Sequence, residues 1–170
     1  SKGVFEVIAT GGDSALGGDD FDRRIVEWAL LETGMASAGV GQDDPIEQAR
    51  RDGGLTAGDL RLLLVEARRA KEALSTQPLV NFLVQLSDAT AVKLPLSRER
   101  FDAITRDLLA RTMVSTRRAL RDASLGAGQI DGVVLVGGAT RMPQIRAAVA
   151  EFFGRPPLTD IDPDKVVALG

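Results

Sequence analysis

The sequence predicts an α/β protein in which a small block of helices and a hairpin is inserted between two strands of one sheet. Three features predict it. The apolar run Val133–Val136, bounded by glycines, is typical of a buried strand. A diglycine turn and the amphipathic segment Ile145–Phe153 follow it, which gives a strand–turn–helix unit. A second largely apolar strand is predicted at Val4–Thr10, and it can pair with the first.

Composition narrows the possible functions. The 170 residues are 44% hydrophobic, enough for one sizeable core or two small subdomains. The net charge is −3 and no basic patch contains aromatic residues, so we expect no nucleic-acid partner. The sequence has no Cys and no His, which excludes disulfides, thiol catalysis and imidazole chemistry and fits a reducing, cytoplasmic location. No apolar run approaches the ~20 residues of a membrane helix, so no membrane partner is expected.

Both ends of the chain look as if they continue. Val4 enters a strand almost at once, and Asp162-Pro163 starts a helix that stops while still apolar. We therefore expect the chain to be a fragment of a longer protein.

The first predicted helix follows the glycine pair at 17 and 18 and ends at Gly34. Its apolar face has spacings of four, three and three: Phe21, Ile25, Trp28 and Leu31. Three carboxylates crowd its start, where the helix dipole favours negative charge. A metal site is less favoured, because neighbouring helical positions point in different directions. These carboxylates belong to Asp19, Asp20 and Asp22.

Two further helices are predicted after a loop over Met35–Asp44. Pro45–Arg51 is a short helix closed by glycines, and Thr56 or Asp59 caps a longer one. The buried stripe of this longer helix is Leu60, Leu63, Ala67, Ala70 and Leu74.

Beside that stripe, Arg68, Lys71 and Ser75 share one helix face. Such a row can contact the ribose and adenine of a nucleotide. On a helix taken alone, a solvated charged edge explains the row better.

The rest of the chain is predicted as a hairpin, helices and the central strand. The hairpin comprises Leu79–Leu86 and Ala89–Pro95, with its turn at Ser87-Asp88. Ser97 caps the next helix, which runs on to Ala123, straight or kinked. Further boundaries are predicted at the glycines that end helices and at the residues that start the last one: Gly126, Gly128 and Gly154; Thr140 and Pro143.

The glycine turn at Gly137-Gly138 is a candidate anion site. Strand-to-helix turns leave backbone N–H groups at the positive end of a helix dipole, and Arg141 lies beside them. The two glycines can equally be present only because the strand and the helix pack closely at this turn, without any bound ligand. The fold predicts a cleft with Arg68, Lys71 and Ser75 on one wall and Gly138–Met142 on the other, and this convergence favours a nucleotide site.

Four segments resemble, in order and spacing, the second lobe of the DnaK-type (heat-shock-70) chaperone ATPases. They are Leu16–Asp22, Ala70–Ser75, Val136–Pro143 and Ile161–Asp164. Within that family, Gly11–Leu16 and Phe152–Ala168 are most similar to the HscA-type branch, which is dedicated to iron–sulfur cluster assembly.

The resemblance implies an actin-like ATPase fold (ribonuclease H-like). Residues 1–16 and 110–170 would form the base subdomain of lobe II, and residues 17–109 an inserted upper subdomain. It also implies the residues that bind ATP or ADP, with Mg²⁺ in the longer protein. From the upper subdomain these are Arg68, Lys71, Glu72 and Ser75, and from the base Gly138, Ala139, Arg141, Met142 and Asp164.

One position departs from the family. Relatives carry a glutamate where this chain has Arg68, and Glu72 or Glu66 does not obviously replace it. The resemblance therefore implies a changed adenine-side contact. The family's first lobe and its second phosphate loop are not in this sequence, so we expect no appreciable ATPase activity and no catalytic residue in this chain.

The resemblance implies a J-domain co-chaperone and an iron–sulfur scaffold protein as partners. Two other classes remain open: a sheet-based interaction module without a ligand, and a lobe of an actin-like or sugar-kinase phosphotransferase. The glycine turn suits the latter, but Leu16–Asp22 and Gly154–Asp164 fit the chaperone better.

Overall fold

The computed structural model describes residues 6–13, 16–37, 44–136 and 138–158, with the backbone alone at 138 and 139. These residues form a mixed α/β structure. Its elements are α1 (Gly18–Glu32), α2 (Pro45–Arg51), α3 (Ala57–Leu74), β1 (Leu79–Gln85), β2 (Ala91–Ser97), α4 (Arg98–Asp122) and α5 (Pro143–Phe153), with 3₁₀ turns at Ala127–Gln129 and Gly138–Arg141.

The chain divides into two compact units, and the boundary falls within α4. The central unit is Gly18–Arg106, and the terminal unit combines Ser1–Gly17 with Asp107–Gly170. Among the described residues, no helix has the length and apolar character needed to cross a membrane.

Helix α3 is the centre of the central unit, because α1 packs on it and β1 packs on it. Four of the five residues in its predicted apolar stripe are buried, namely Leu63, Ala67, Ala70 and Leu74. The alanines let the neighbouring elements approach closely. Around this helix, Trp28 of α1 meets Phe82 of β1 edge to face, with 6.4 Å between ring centroids.

The predicted hairpin is confirmed. β1 and β2 are antiparallel, in a register that runs from Leu79↔Ser97 to Gln85↔Ala91. Burial alternates along β1, so that Val80, Phe82 and Val84 face the core. The second strand starts at Ala91 and not at Ala89, because Ala89 has a φ of 68° and belongs to the turn.

The start of α3 is tied to the hairpin turn by one carboxylate. The Thr56 side chain accepts the Asp59 N–H, and the Asp59 side chain accepts the Thr56 N–H, which is a capping box. Asp59 also accepts the Ser87 N–H and hydroxyl, both at 2.8 Å. Hydrogen bonds from the Thr56 hydroxyl and the Ser87 N–H lower the pKa of Asp59 to about 2.

Most helix boundaries agree with the predictions. Two predictions need correction, one on a core residue of α1 and one on the end of α4. In α1 the core residue is Leu30, while the predicted Leu31 is 37% exposed. Helix α4 is one continuous helix that begins after Ser97, whose hydroxyl accepts the Arg100 N–H at 3.2 Å. It ends at Asp122, and Ser124 takes the left-handed conformation (φ 57°) that was expected of Gly126 or Gly128.

The two strands predicted for the main sheet are wrong as far as they are described. Residues 6–10 form no strand, and of Val133–Val136 only Val134 pairs, in an isolated parallel bridge with Leu158. A strand needs a neighbour for its backbone groups, and none of the described residues supplies one for 6–10. Val7 is accordingly 76% exposed. Val4, Phe5 and Gly137 lie outside the described residues.

Other contacts hold the terminal unit. A Cβ on Gly11 would lie 3.0 Å from the Ala119 Cβ, so a larger residue would require α4 to give way by a few tenths of an ångström. Arg111 binds Asp13 with its Nη2 at 2.6 Å. Helix α5 begins at Pro143 as predicted, but Met142 occupies its N-cap without a side-chain hydrogen bond, so the predicted Thr140 cap is wrong.

The same helix ends where the sequence predicts. Gly154 has a φ of 66°, the left-handed conformation that closes a helix at little cost when the residue is glycine.

We predict that Asp59→Asn lowers the thermal unfolding midpoint at neutral pH, because an amide cannot accept all the hydrogen bonds that the carboxylate accepts. The folded pKa of about 2 lies below the unfolded value of ~3.9. The stabilisation by Asp59 is therefore present above pH ~4 and is lost as the pH falls through about 2. The gap between parent and variant should shrink over that range, measured by fluorescence of the single Trp28.

Asp88→Asn is the matched control, since the Asp88 carboxylate accepts the Thr90 N–H and hydroxyl within the turn itself. A gap between parent and Asp59→Asn that stays constant from pH 7 to pH 2 would contradict the assignment.

Candidate functional site

The candidate residues of the central unit lie on the C-terminal half of α3. Arg68 and Glu72 are exposed, Ser75 is the half-buried C-cap residue, and Lys71 is buried with 8% of its surface exposed. If this face were a solvated charged edge, Arg68 and Lys71 would both be exposed, so that interpretation does not explain the burial of Lys71. The buried ammonium group requires an explanation in terms of its partners.

Lys71 is held by the start of α1. Its Nζ lies 2.8 Å from the Gly18 carbonyl oxygen and 2.7 Å from Asp22 Oδ1. The Asp22 carboxylate is itself buried, with 2% of the residue exposed. The hydrogen bond to Gly18 and the close ion pair with Asp22 offset part of the desolvation of the two groups, although Asp22 Oδ1 accepts no hydrogen bond, and they fix the end of a long, flexible side chain.

Arg68 is held by the same turn of α1. Its Nη2 donates to Asp19 Oδ1 at 2.6 Å, and its Nε lies 3.4 Å from Asp22 Oδ2. Hydrogen bonds and charge from Asp22, and then from Asp19, raise the pKa of Arg68. Asp22 therefore bridges both cations. We call Asp19, Asp22, Arg68 and Lys71 the α1–α3 charge cluster.

Sequence reasoning found the cations of this cluster but missed their anions. Asp19 and Asp20 do lie in the first turn of α1, as the helix-dipole explanation predicts. That explanation left Asp22 without a specific partner. The available signal was the i, i+3 spacing of Asp19 and Asp22, which matches the i, i+3 spacing of Arg68 and Lys71.

A cavity of about 450 Å³ opens beside Arg68. Leu64 and Val65 give it apolar walls, and its polar lining comes from Asp19, Asp22, Arg61 and Arg68. Small-molecule sites commonly combine this size with apolar walls and a few polar groups. All its lining residues belong to the central unit.

The remaining candidates belong to the terminal unit. Gly138–Arg141 forms a 3₁₀ turn directly before α5, with Arg141 exposed and Met142 buried. The N–H groups of Ile145 and Arg146 bond to the Met142 carbonyl, and proline at the first helical position has none. This start of α5 therefore offers fewer backbone donors to an anion than a glycine turn alone suggests.

The nine candidate residues are thus four on α3 or at its C-cap, four in or next to the 3₁₀ turn, and Asp164, which lies outside the described residues. The cleft shared by the first two groups stays a prediction. Within 6–13, 16–37, 44–136 and 138–158, no group of three or more acidic side chains is placed to hold a metal ion.

We predict that Asp22→Asn destabilises the central unit by about 3–5 kcal/mol, because it leaves the Lys71 ammonium buried without its counter-charge. Adding Lys71→Met should recover much of the loss, since no unpaired buried cation then remains beside α1. Urea unfolding followed by Trp28 fluorescence measures both effects. Asp19→Asn is the control, because Asp19 is exposed, and its midpoint should stay close to that of the parent. Equal midpoints for Asp22→Asn and Asp19→Asn would refute a structural role for the buried pair.

Comparison with known proteins identifies the family. The family model described as Hsp70 protein matches residues 1–170. Over all 170 residues the chain is 50% identical to the chaperone protein HscA homolog of Methylobacillus flagellatus and 52% identical to that of Verminephrobacter eiseniae. It spans about a quarter of each (25% and 24%). These matches confirm the predicted resemblance to HscA-type, ATP-binding chaperones, and the chain belongs to the Hsp70 family.

Proposed function

We propose that this chain is the adenosine-binding lobe of an ATP-dependent molecular chaperone that acts in iron–sulfur cluster assembly and protein folding. The observation that carries the proposal is the match of the whole chain to the Hsp70 family, with about half of its residues identical to HscA homologs. An actin-like lobe II, with a base subdomain (1–16 and 110–170) and an inserted upper subdomain (17–109), is the architecture that goes with it.

The α1–α3 charge cluster supports a ligand wall of this kind. Two carboxylates balance the charges of Arg68 and Lys71 within 2.6–3.4 Å. A wall whose charges are already balanced attracts an anion weakly but still offers directed hydrogen bonds and apolar surface. It therefore suits the uncharged part of a nucleotide, its base and ribose, better than its phosphates.

The cavity beside Arg68 is consistent with that chemistry. Leu64 and Val65 give apolar surface of the kind that packs on a purine, while Asp19 can accept and Arg61 can donate hydrogen bonds. The arginine that stands at the family's glutamate position also agrees with its surroundings, because a glutamate there would face Asp19 and Asp22. We infer that Arg68 stacks on or donates to the base where relatives accept from it.

When bound, ATP supplies a phosphoryl group and, in the longer protein, an associated Mg²⁺. The role we propose for this chain is positioning. Lys71, Glu72 and Ser75 hold the nucleoside from α3, and Gly138, Ala139, Arg141 and Met142 hold it from the turn before α5. The proposed set of binding residues also includes Asp164. The chain offers no His or Cys as an acid–base or nucleophilic group, and we infer that it does not hydrolyse ATP by itself.

The longer chaperone would respond to nucleotide by changing its affinity for a client. By relation to the HscA homologs, we infer a J-domain co-chaperone and an iron–sulfur scaffold protein as its partners, a cytoplasmic location, and no nucleic-acid or membrane partner.

We predict that the chain binds ADP and that Ser75→Ala and Arg141→Ala each weaken binding about two- to tenfold, the effect of losing one or two hydrogen bonds. Isothermal titration calorimetry measures the affinity, and Trp28 fluorescence reports on the central unit. Arg146→Ala is the control for Arg141, since Arg146 is exposed and lies in the first turn of α5, outside the 3₁₀ turn that holds Arg141.

Identical ADP affinity in the parent, Ser75→Ala and Arg141→Ala would contradict the assigned residues. Absence of ADP binding at millimolar concentration would contradict adenosine binding by this chain and favour an interaction module. Phosphate release from ATP that is abolished by Arg141→Ala would contradict the inference that the chain alone is inactive.

A further inference from the structure

The edge of β1 that faces away from β2 is covered by side chains of α3. Because β2 is the strand bonded to β1 among the described residues, the other edge of β1 needs partners for its backbone groups. Two of these groups, the Asn81 carbonyl and the Leu83 N–H, are bonded by side chains of α3.

Glu66 and Arg69 supply those bonds. Glu66 Oε1 accepts the Leu83 N–H at 3.0 Å, and Arg69 Nη2 donates to the Asn81 carbonyl at 2.7 Å. The two side chains also bind each other at two points, Nη2 to Oε1 at 2.6 Å and Nε to Oε2 at 2.7 Å. Each side chain therefore fixes the other against the strand. We call this pair the edge clamp.

The edge clamp has the hydrogen-bond pattern of a strand. A residue of a parallel neighbour opposite Phe82 would donate its N–H to the Asn81 carbonyl and accept the Leu83 N–H at its own carbonyl. Arg69 Nη2 and Glu66 Oε1 take these two positions. The Asn81 carbonyl and the Leu83 N–H, which a neighbouring strand would bond, are thus already bonded by side chains of the same chain.

The two strands of the hairpin differ in how well their own sequences protect them against pairing with a further strand. β2 contains Lys93 and Pro95, a charge and a residue without an N–H, both of which discourage further pairing. β1 reads LVNFLVQ, with no charge and no proline, and Leu79 and Leu83 are 54% and 50% exposed. Such a segment is prone to pair with a copy of itself.

We propose that the edge clamp prevents β1 from pairing with β1 of a second copy of this chain. A second copy suits this edge because β1 carries no charge that would repel its own copy and its exposed leucines would be shared across the new strand pair. A groove of about 430 Å³ runs along the edge and is lined by Glu66, Arg69 and β1 residues. Substitution of the clamp would open it.

The clamp is charged at neutral pH. Burial raises the pKa of the Glu66 carboxyl, but hydrogen bonds from Arg69 and the Leu83 N–H outweigh burial, and the pKa lies below its usual value. The ion pair that holds the two side chains in place is therefore intact under ordinary solution conditions.

The test is the double variant Glu66→Ala with Arg69→Ala. We expect the self-association constant to rise about tenfold or more, because two backbone groups per copy become available for pairing. Analytical ultracentrifugation over a concentration series measures it. The amide hydrogen of Leu83 should exchange faster at low concentration and regain protection at high concentration.

Two further variants separate edge pairing from general destabilisation. Glu47→Ala with Arg50→Ala removes an i, i+3 ion pair of α2, at 3.3 Å, that is no part of the edge clamp, and it should sediment as the parent does. Adding Asn81→Lys to the clamp variant places a charge on each copy of β1 and should abolish the new association.

A clamp variant that keeps the parent's helical circular dichroism, exchanges Leu83 rapidly and still does not associate would overturn the proposal. If the double alanine variant unfolds, Glu66→Met with Arg69→Met keeps side chains of similar size without these hydrogen bonds and is judged by the same outcomes. Association that persists with Asn81→Lys would also overturn it.

Discussion

The central unit depends on the packing of α3 between α1 and the hairpin. Small residues make that packing possible, because Ala67 and Ala70 leave room for a helix on one side and a strand on the other. Trp28 and Phe82 reach each other around this helix from the two elements that flank it. A larger side chain at either buried alanine would overpack α3 against its neighbours and destabilise the unit, typically by about 1–3 kcal/mol.

The polar residues of α3 are organised by the same packing. At its start Asp59 binds the hairpin turn, in its middle Glu66 and Arg69 bind the edge of β1, and near its end Arg68 and Lys71 bind α1. A helix packed on two sides brings its flanking polar positions within reach of both neighbours. Groups that would be a solvated edge on an isolated helix therefore become connections between elements.

Helices were predictable from the sequence because their hydrogen bonds and caps are local. Thr56, Ser97 and Gly154 mark boundaries from within a few residues, and the structure confirms each of them. The strands predicted at Val4–Thr10 and Val133–Val136 depend on neighbours distant in sequence. An apolar run shows that a segment can be a strand but not that a partner lies beside it. Among the described residues, the Val134–Leu158 bridge is accordingly all that forms there. The hairpin could be predicted because the second strand follows the first after one short turn.

The candidate site has the same division between local and distant information. The helical spacing of Arg68, Lys71 and Ser75 follows from the sequence, but the state of their charges does not, since Asp19 and Asp22 lie about fifty positions earlier. Their pairing changes what the surface can select. Two free cations would favour the phosphates of any nucleotide, whereas a balanced cluster contributes shape and directed hydrogen bonds. In the nucleotide site that we propose, discrimination by this wall should therefore fall on the base and ribose, and attraction for phosphate must come from other residues.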